Sequence, residues 1–108
     1  MTIGAYEHRA TLVAASGSTA TTTLNVSGAL LRQVLVRANT QTTLFRVNLV
    51  DGNDLTRINY GYHQHELNDT GNSPESPLPF LLHGAYTVNV TNVSPANDTF
   101  AVVLSAQE

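Results

Sequence analysis

The residues best able to do chemistry are two histidines one residue apart. His63 and His65 form an H-x-H pair, and on a regular strand i and i+2 side chains share a face, as zinc ligation requires. A third ligand would have to come from Glu66, His83 or His8, none of which completes a recognisable ligand spacing. The segment Asp51-Gly52-Asn53-Asp54 gathers oxygen donors that would suit a hard cation, but its spacing departs from an EF-hand loop and Asp-Gly is a common hairpin turn. We therefore expect no bound metal and no cofactor. His63 and His65, beside Tyr60 and Tyr62, read better as polar contact residues.

Catalysis finds little else to work with. No Gly-x-Ser-x-Gly elbow positions a serine, and no phosphate-cradling glycine loop is present. Glu7, Glu66, Glu75 and Asp69 fall at expected strand edges or loops rather than as a facing acid–base pair. The chain is expected not to be an enzyme. Its function should then lie in the surfaces it presents.

Those surfaces must be built by strands. Phe45, Val47 and Leu49 alternate with Arg46 and Asn48; Tyr86, Val88 and Val90 alternate with Thr87, Asn89 and Thr91; Phe100, Val102 and Leu104 repeat the pattern. Weaker alternation covers 6–15, 19–26, 30–38, 55–62 and 78–82, rich in β-branched residues. Turn chemistry separates the runs at Ser16-Gly17-Ser18, Ser27-Gly28, Asn39-Thr40, Asp51–Asp54, His83-Gly84 and Ser94–Asn97. No segment holds a helical period. The expectation is one all-β domain over 1–108, about eight strands in two packed antiparallel sheets, jelly-roll-like; an immunoglobulin-like sandwich is the alternative, without its Cys and Trp hallmarks. The irregular stretch 63–77 reads as one long loop.

Composition narrows the partners. Only 12% of the 108 residues are charged, about half the usual share, and all five basic residues are arginine. Arginine is favoured at protein interfaces and lysine is depleted there. The net charge of −3 argues against a phosphate backbone as partner. No cysteine is available for disulfides or thiolate sites, and no run approaches a membrane span. Met1-Thr2-Ile3-Gly4 lacks a basic n-region and apolar run, so synthesis in a cytoplasm without a signal peptide is expected. Asn-x-Ser/Thr triplets at Asn25, Asn68, Asn89, Asn92 and Asn97 then reflect an Asn/Thr-rich composition.

If Val34 and Val36 face the core, strict alternation turns Leu31 and Leu35 outward beside Gln33 and Arg37; Ala101 and Val103 likewise lie opposite Phe100. Apolar side chains mixed with arginine on an outer face fit a protein contact. The expected contact set is Leu31, Leu35, Arg37, Arg46, His63, His65 and Val103, with the 63–77 loop reaching towards a neighbour.

The segments Leu31–Arg37, Phe45–Gly52, Leu78-Pro79, Gly84–Asn92 and Asp98–Val102 together resemble small β-sandwich virion proteins of tailed bacteriophages, particularly those encoded near head genes in marine phages. The likeness covers most of the chain after Ser27; the N-terminal part departs from it, and a short N-terminal arm at Met1–Tyr6 is no more than an expectation. The resemblance implies a capsid decoration or accessory protein, docked on the major capsid protein or another virion protein. It would be made in the host bacterial cytoplasm and carried on the virion as a homo-oligomer. A carbohydrate- or receptor-binding module of a tail or fibre is the alternative, although aromatics make up only 6% and Trp is absent.

Overall fold

The computed structural model describes residues 5–108; Met1–Gly4, and with them most of the expected arm, lie outside the described residues. Eight antiparallel strands form β1 (Ala5–Ala14), β2 (Thr19–Ala38), β3 (Leu44–Asp51), β4 (Thr56–Asn59), β5 (His63–Gln64), β6 (Glu66–Asp69), β7 (Phe80–Asn92) and β8 (Asp98–Gln107). They are hydrogen-bonded into one sheet of order β1-β8-β2-β7-β3-β4, with β5 on β3 and β6 on β2. Among the described residues there is no helix, and so none long and apolar enough to cross a membrane.

The long strand β2 holds the sheet together. Thr19–Leu31 pairs with β7, Leu30–Ala38 pairs with β8, and Val34–Arg37 also pairs with β6. Two extra residues interrupt its register. Gly28 stands unpaired between Ser27 and Ala29 with φ 83°, a conformation glycine adopts without Cβ strain, and Arg32 stands unpaired between Leu31 and Gln33. Each bulge bends the strand and flips the parity of the buried side chains. The inward set runs Leu24, then Ala29 and Leu31, then Val34, Val36 and Ala38.

This corrects the expectation for Leu31. Strict alternation from Val34 turned it outward, but Arg32 absorbs one residue and brings Leu31 to 0% exposure. The other three alternations behave as expected: Phe45, Val47 and Leu49, Tyr86, Val88 and Val90, and Phe100, Val102 and Leu104 are all buried. Phe45 and Phe100 meet edge to face at 5.4 Å although β3 and β8 are not neighbours in the ladder.

The stretch 63–77 is not one loop. It contains β5 and β6, and the irregular connection begins only after Asp69. His65 sits between the two strands at φ 67°, its N–H donating to Thr43 O and its carbonyl accepting from Ala38 N–H. Backbone hydrogen bonding thus fixes the first part of the stretch, 63–69.

Candidate docking face

Three of the expected contact residues converge on one outward face. It is formed by β1, β8, the second half of β2 and β6. In the register of these strands Arg9, Val103, Leu35 and Asn68 lie in one cross-strand row, and Thr11, Ala101, Arg37 and Glu66 in the next. Leu35 and Val103 are directly opposed and half-buried, with Ala101 exposed beside them. Their neighbours in sequence, Val34, Val36, Val102 and Leu104, fill the core, so parity alone points Leu35 and Val103 outward. Val13, 73% exposed, extends the apolar surface at the Thr99 end of β1; the sequence reading missed it because alternation in β1 is weak.

Polar side chains rim this centre and bond to one another. Arg9 Nε donates to Glu7 Oε1 at 2.6 Å, and Arg37 Nη2 to Glu66 Oε2 at 3.3 Å. Gln33 Nε2 donates to Asn68 Oδ1 at 3.1 Å, and Ser105 Oγ reaches Gln33 Oε1 at 3.5 Å. Exposed ion pairs of this kind contribute about 0–1 kcal/mol each, so they add little to folding. What they do is pair Arg9 and Arg37 with carboxylates of the same chain beside an apolar patch. An apolar centre with a polar rim is the anatomy of a protein interface. Arg37, expected as a partner contact, already faces a carboxylate in its own chain.

The remaining expected residues lie elsewhere. Arg46 projects from β3 with its guanidinium 5.3 Å from the Tyr62 ring centre. His63 is half-buried, its ring 6.5 Å from Phe45 and 6.4 Å from Tyr60. His65 is also half-buried, and its Nδ1 is shut from water with no hydrogen-bond partner among the described residues. Because its φ is positive, His63 and His65 do not stand as i and i+2 of a continuous strand. Among the described residues no three His, Cys, Asp or Glu side chains gather as a metal site. His8, a third-ligand candidate, instead bonds Thr22 Oγ1 through Nε2 at 2.8 Å.

The carboxylates serve the backbone. Asp51 Oδ1 accepts the N–H groups of Leu55 and Asn53, and Oδ2 faces Arg57; those backbone bonds, then the arginine, hold its pKa below the usual value. Asp69 lies beside a cleft of about 400 Å³ bordered by Asn59, Tyr60, His63 and Glu75. Burial acts to raise the Asp69 carboxyl, but bonds from Tyr60 Oη at 2.7 Å, Gly71 N at 3.0 Å and Ser76 Oγ at 2.7 Å outweigh it and keep the pKa low. Tyr60 is pushed above the ordinary tyrosine range, first by burial and then by Asp69. A phenol that donates to a carboxylate also held by Gly71 N–H and the Ser76 hydroxyl acts as a clamp on the 70–78 connection. Asp69-Thr70-Gly71, an Asx-turn signature, was the sequence signal for it.

No protein-family model matches the chain, and no curated protein matches its sequence.

Proposed function

We propose that this chain is a non-enzymatic structural protein of a phage particle, a decoration or cement protein that docks on the major capsid protein in several copies. The observation that carries the reading is the face centred on Leu35 and Val103, apolar in the middle and ringed by polar groups that satisfy one another. Scarce charge and the likeness to small phage virion proteins support it. On this reading the protein is assembled in the host cytoplasm and resides on the virion.

The fold we infer is a two-layer, jelly-roll-like sandwich made by folding the single hydrogen-bonded sheet over at the bulges of β2. One layer holds β1, β8, the second half of β2 and β6; the other holds the first half of β2, β7, β3, β4 and β5. The Phe45–Phe100 contact supports the closure, since it joins strands that share no ladder. Such layering leaves each layer one outward face, and Leu35 with Val103 occupies the centre of one of them.

A glycan-binding module of a tail or fibre is the second reading, supported by Tyr62, 65% exposed, near the Tyr60 cleft. The test is to delete the gene from the phage that encodes the chain and add purified protein back to the particles. The parent should restore occupancy and heat resistance, whereas Leu35→Arg/Val103→Arg should bind about tenfold or more weakly, as loss of a central apolar contact does. Unchanged circular dichroism would establish that the variant is folded. Equal binding by both proteins sinks the face assignment, and failure of the parent to bind particles, with retention on a glycan array lost in Tyr62→Ala, favours the second reading.

A further inference from the structure

We propose that two copies of this chain join edge to edge through β1, antiparallel, about a two-fold axis at His8. The outer flank of β1 has no strand partner among the described residues. A free flank exposes a row of N–H and C=O groups ready to pair, and proteins usually blunt it with short strands, bulges, proline or inward charge. Here β4 and β6 are four residues long, and the pairing of β3 with β4 carries a register shift. In contrast, β1 runs ten residues without a bulge, glycine or proline, its inward positions free of carboxylate and arginine.

Its charges choose both the partner and the register. Antiparallel pairing brings outward-pointing peptide groups together only when residues of equal parity oppose each other, which also keeps each pair on one face. Centring the pair on His8 sets Glu7 opposite Arg9 of the second copy and Arg9 opposite Glu7 of the second copy. The strand is thus complementary to itself, as an isologous two-fold interface requires. Shifting the centre to Ala10 would set Glu7 against Val13 and Arg9 against Thr11, losing both charge pairs. The first half of β2 also has an open flank, linked to β1 by the His8–Thr22 hydrogen bond, but 19–27 carries no charge to select a register. Glu7 and Arg9 are both exposed, at 49% and 70% of their side chains, so changing them does not threaten the fold.

This inference stands apart from the docking reading, because it concerns the free protein. The experiment is sedimentation velocity on the full chain and on Glu7→Arg, Arg9→Glu and the exchanged Glu7→Arg/Arg9→Glu, with circular dichroism to confirm folding. Each single change puts like charges directly opposite at both symmetric positions and should weaken dimerisation about tenfold. The exchange restores opposite charges and should return the dissociation constant to within about threefold of the parent. A parent that is monomeric at roughly 100 µM overturns the proposal. Single variants that dimerise like the parent overturn it as well, as does an exchange variant as weak as either single change.

Discussion

Asp98 fastens the turn between β2 and β3 to the start of β8 with one carboxylate. Its Oδ2 accepts from the Thr43 hydroxyl at 2.6 Å and the Thr40 N–H at 3.1 Å, and its Oδ1 from the Thr99 N–H at 2.8 Å. Burial acts to raise its pKa, but these bonds outweigh it, as they do at Asp69, and both carboxyls sit below the ordinary value. A carboxyl with a lower pKa folded than unfolded binds protons less readily in the native state, so stability grows with pH across that interval. The contribution is complete above the unfolded value of about 3.9 and is lost as pH falls through the folded values. We expect a melting temperature that is nearly flat from pH 7 to about 5 and falls below about 4. Asp69→Asn/Asp98→Asn should melt lower at pH 7 yet lose less on acidification; equal slopes for the two proteins in thermal melts would refute these assignments. Asn92 carries a different lesson. As Asn92-Val93-Ser94 it reads as a surface triplet, yet it is 0% exposed, donating to the carbonyls of Ala14 and Ala96 and accepting from Ser94 N–H. The parity of Tyr86, Val88 and Val90 already pointed it inward; residue type concealed what position revealed.

Two bulges decide the course of β2, and only one left a mark in the sequence. Ser27-Gly28 and His83-Gly84 both read as turns, splitting β2 and β7 into shorter strands. In the fold these residues face one another, Ser27 opposite His83 and Val26 opposite Gly84, so both strands bend and continue. Arg32 has no such signature: any residue could be the extra one, and only the ladder with β8 reveals it. Hence Leu35, Arg37 and Val103 were placed correctly by local alternation, while Leu31, on the far side of the bulge, was not. Val13 escaped because β1 alternates weakly in hydropathy. The His63–Pro77 stretch escaped for another reason, since β5 and β6 are two and four residues long and gain their order from β3 and β2. An extra residue placed inside the second half of β2 should therefore be far worse than replacing Arg32. Inserting one alanine between Val34 and Leu35 forces either Leu31 and Val34 or Val36 and Ala38 out of the core, at a cost of about 3 kcal/mol or more. Deleting Arg32 does not, because Leu31 and Gln33 then oppose Ala106 and Ser105 as consecutive residues. Arg32→Ala keeps the bulge and should stay within about 0.5 kcal/mol of the parent in urea denaturation. Similar losses in the insertion variant and in Arg32→Ala would mean that ladder register does not set the parity of β2.

Joining two copies at β1 would make their docking faces one. The strand order becomes β2-β8-β1 followed by the same strands reversed, so the two Leu35 positions stand five strand spacings apart, about 24 Å. Each copy then presents its own apolar centre on a continuous surface, and a particle offering repeated sites can engage both. Once one half is bound, the second meets its site at high effective concentration, and avidity can exceed the single-site affinity by about 10²–10⁴. Half-saturation of gene-deleted particles should therefore require more Glu7→Arg protein than parent, by up to about the tenfold loss in dimerisation, although Leu35 and Val103 are untouched. Glu7 shares the outward face, so a direct contact with the capsid could produce the same loss. The exchanged variant separates the two causes: it restores the dimer but not the original charge at either position. Recovery of binding by Glu7→Arg/Arg9→Glu assigns the loss to dimerisation, and no recovery assigns it to direct contact. The reciprocal variant completes the argument. Leu35→Arg/Val103→Arg should remain dimeric in sedimentation and still fail to occupy particles, because two copies of a spoiled site gain nothing from being joined.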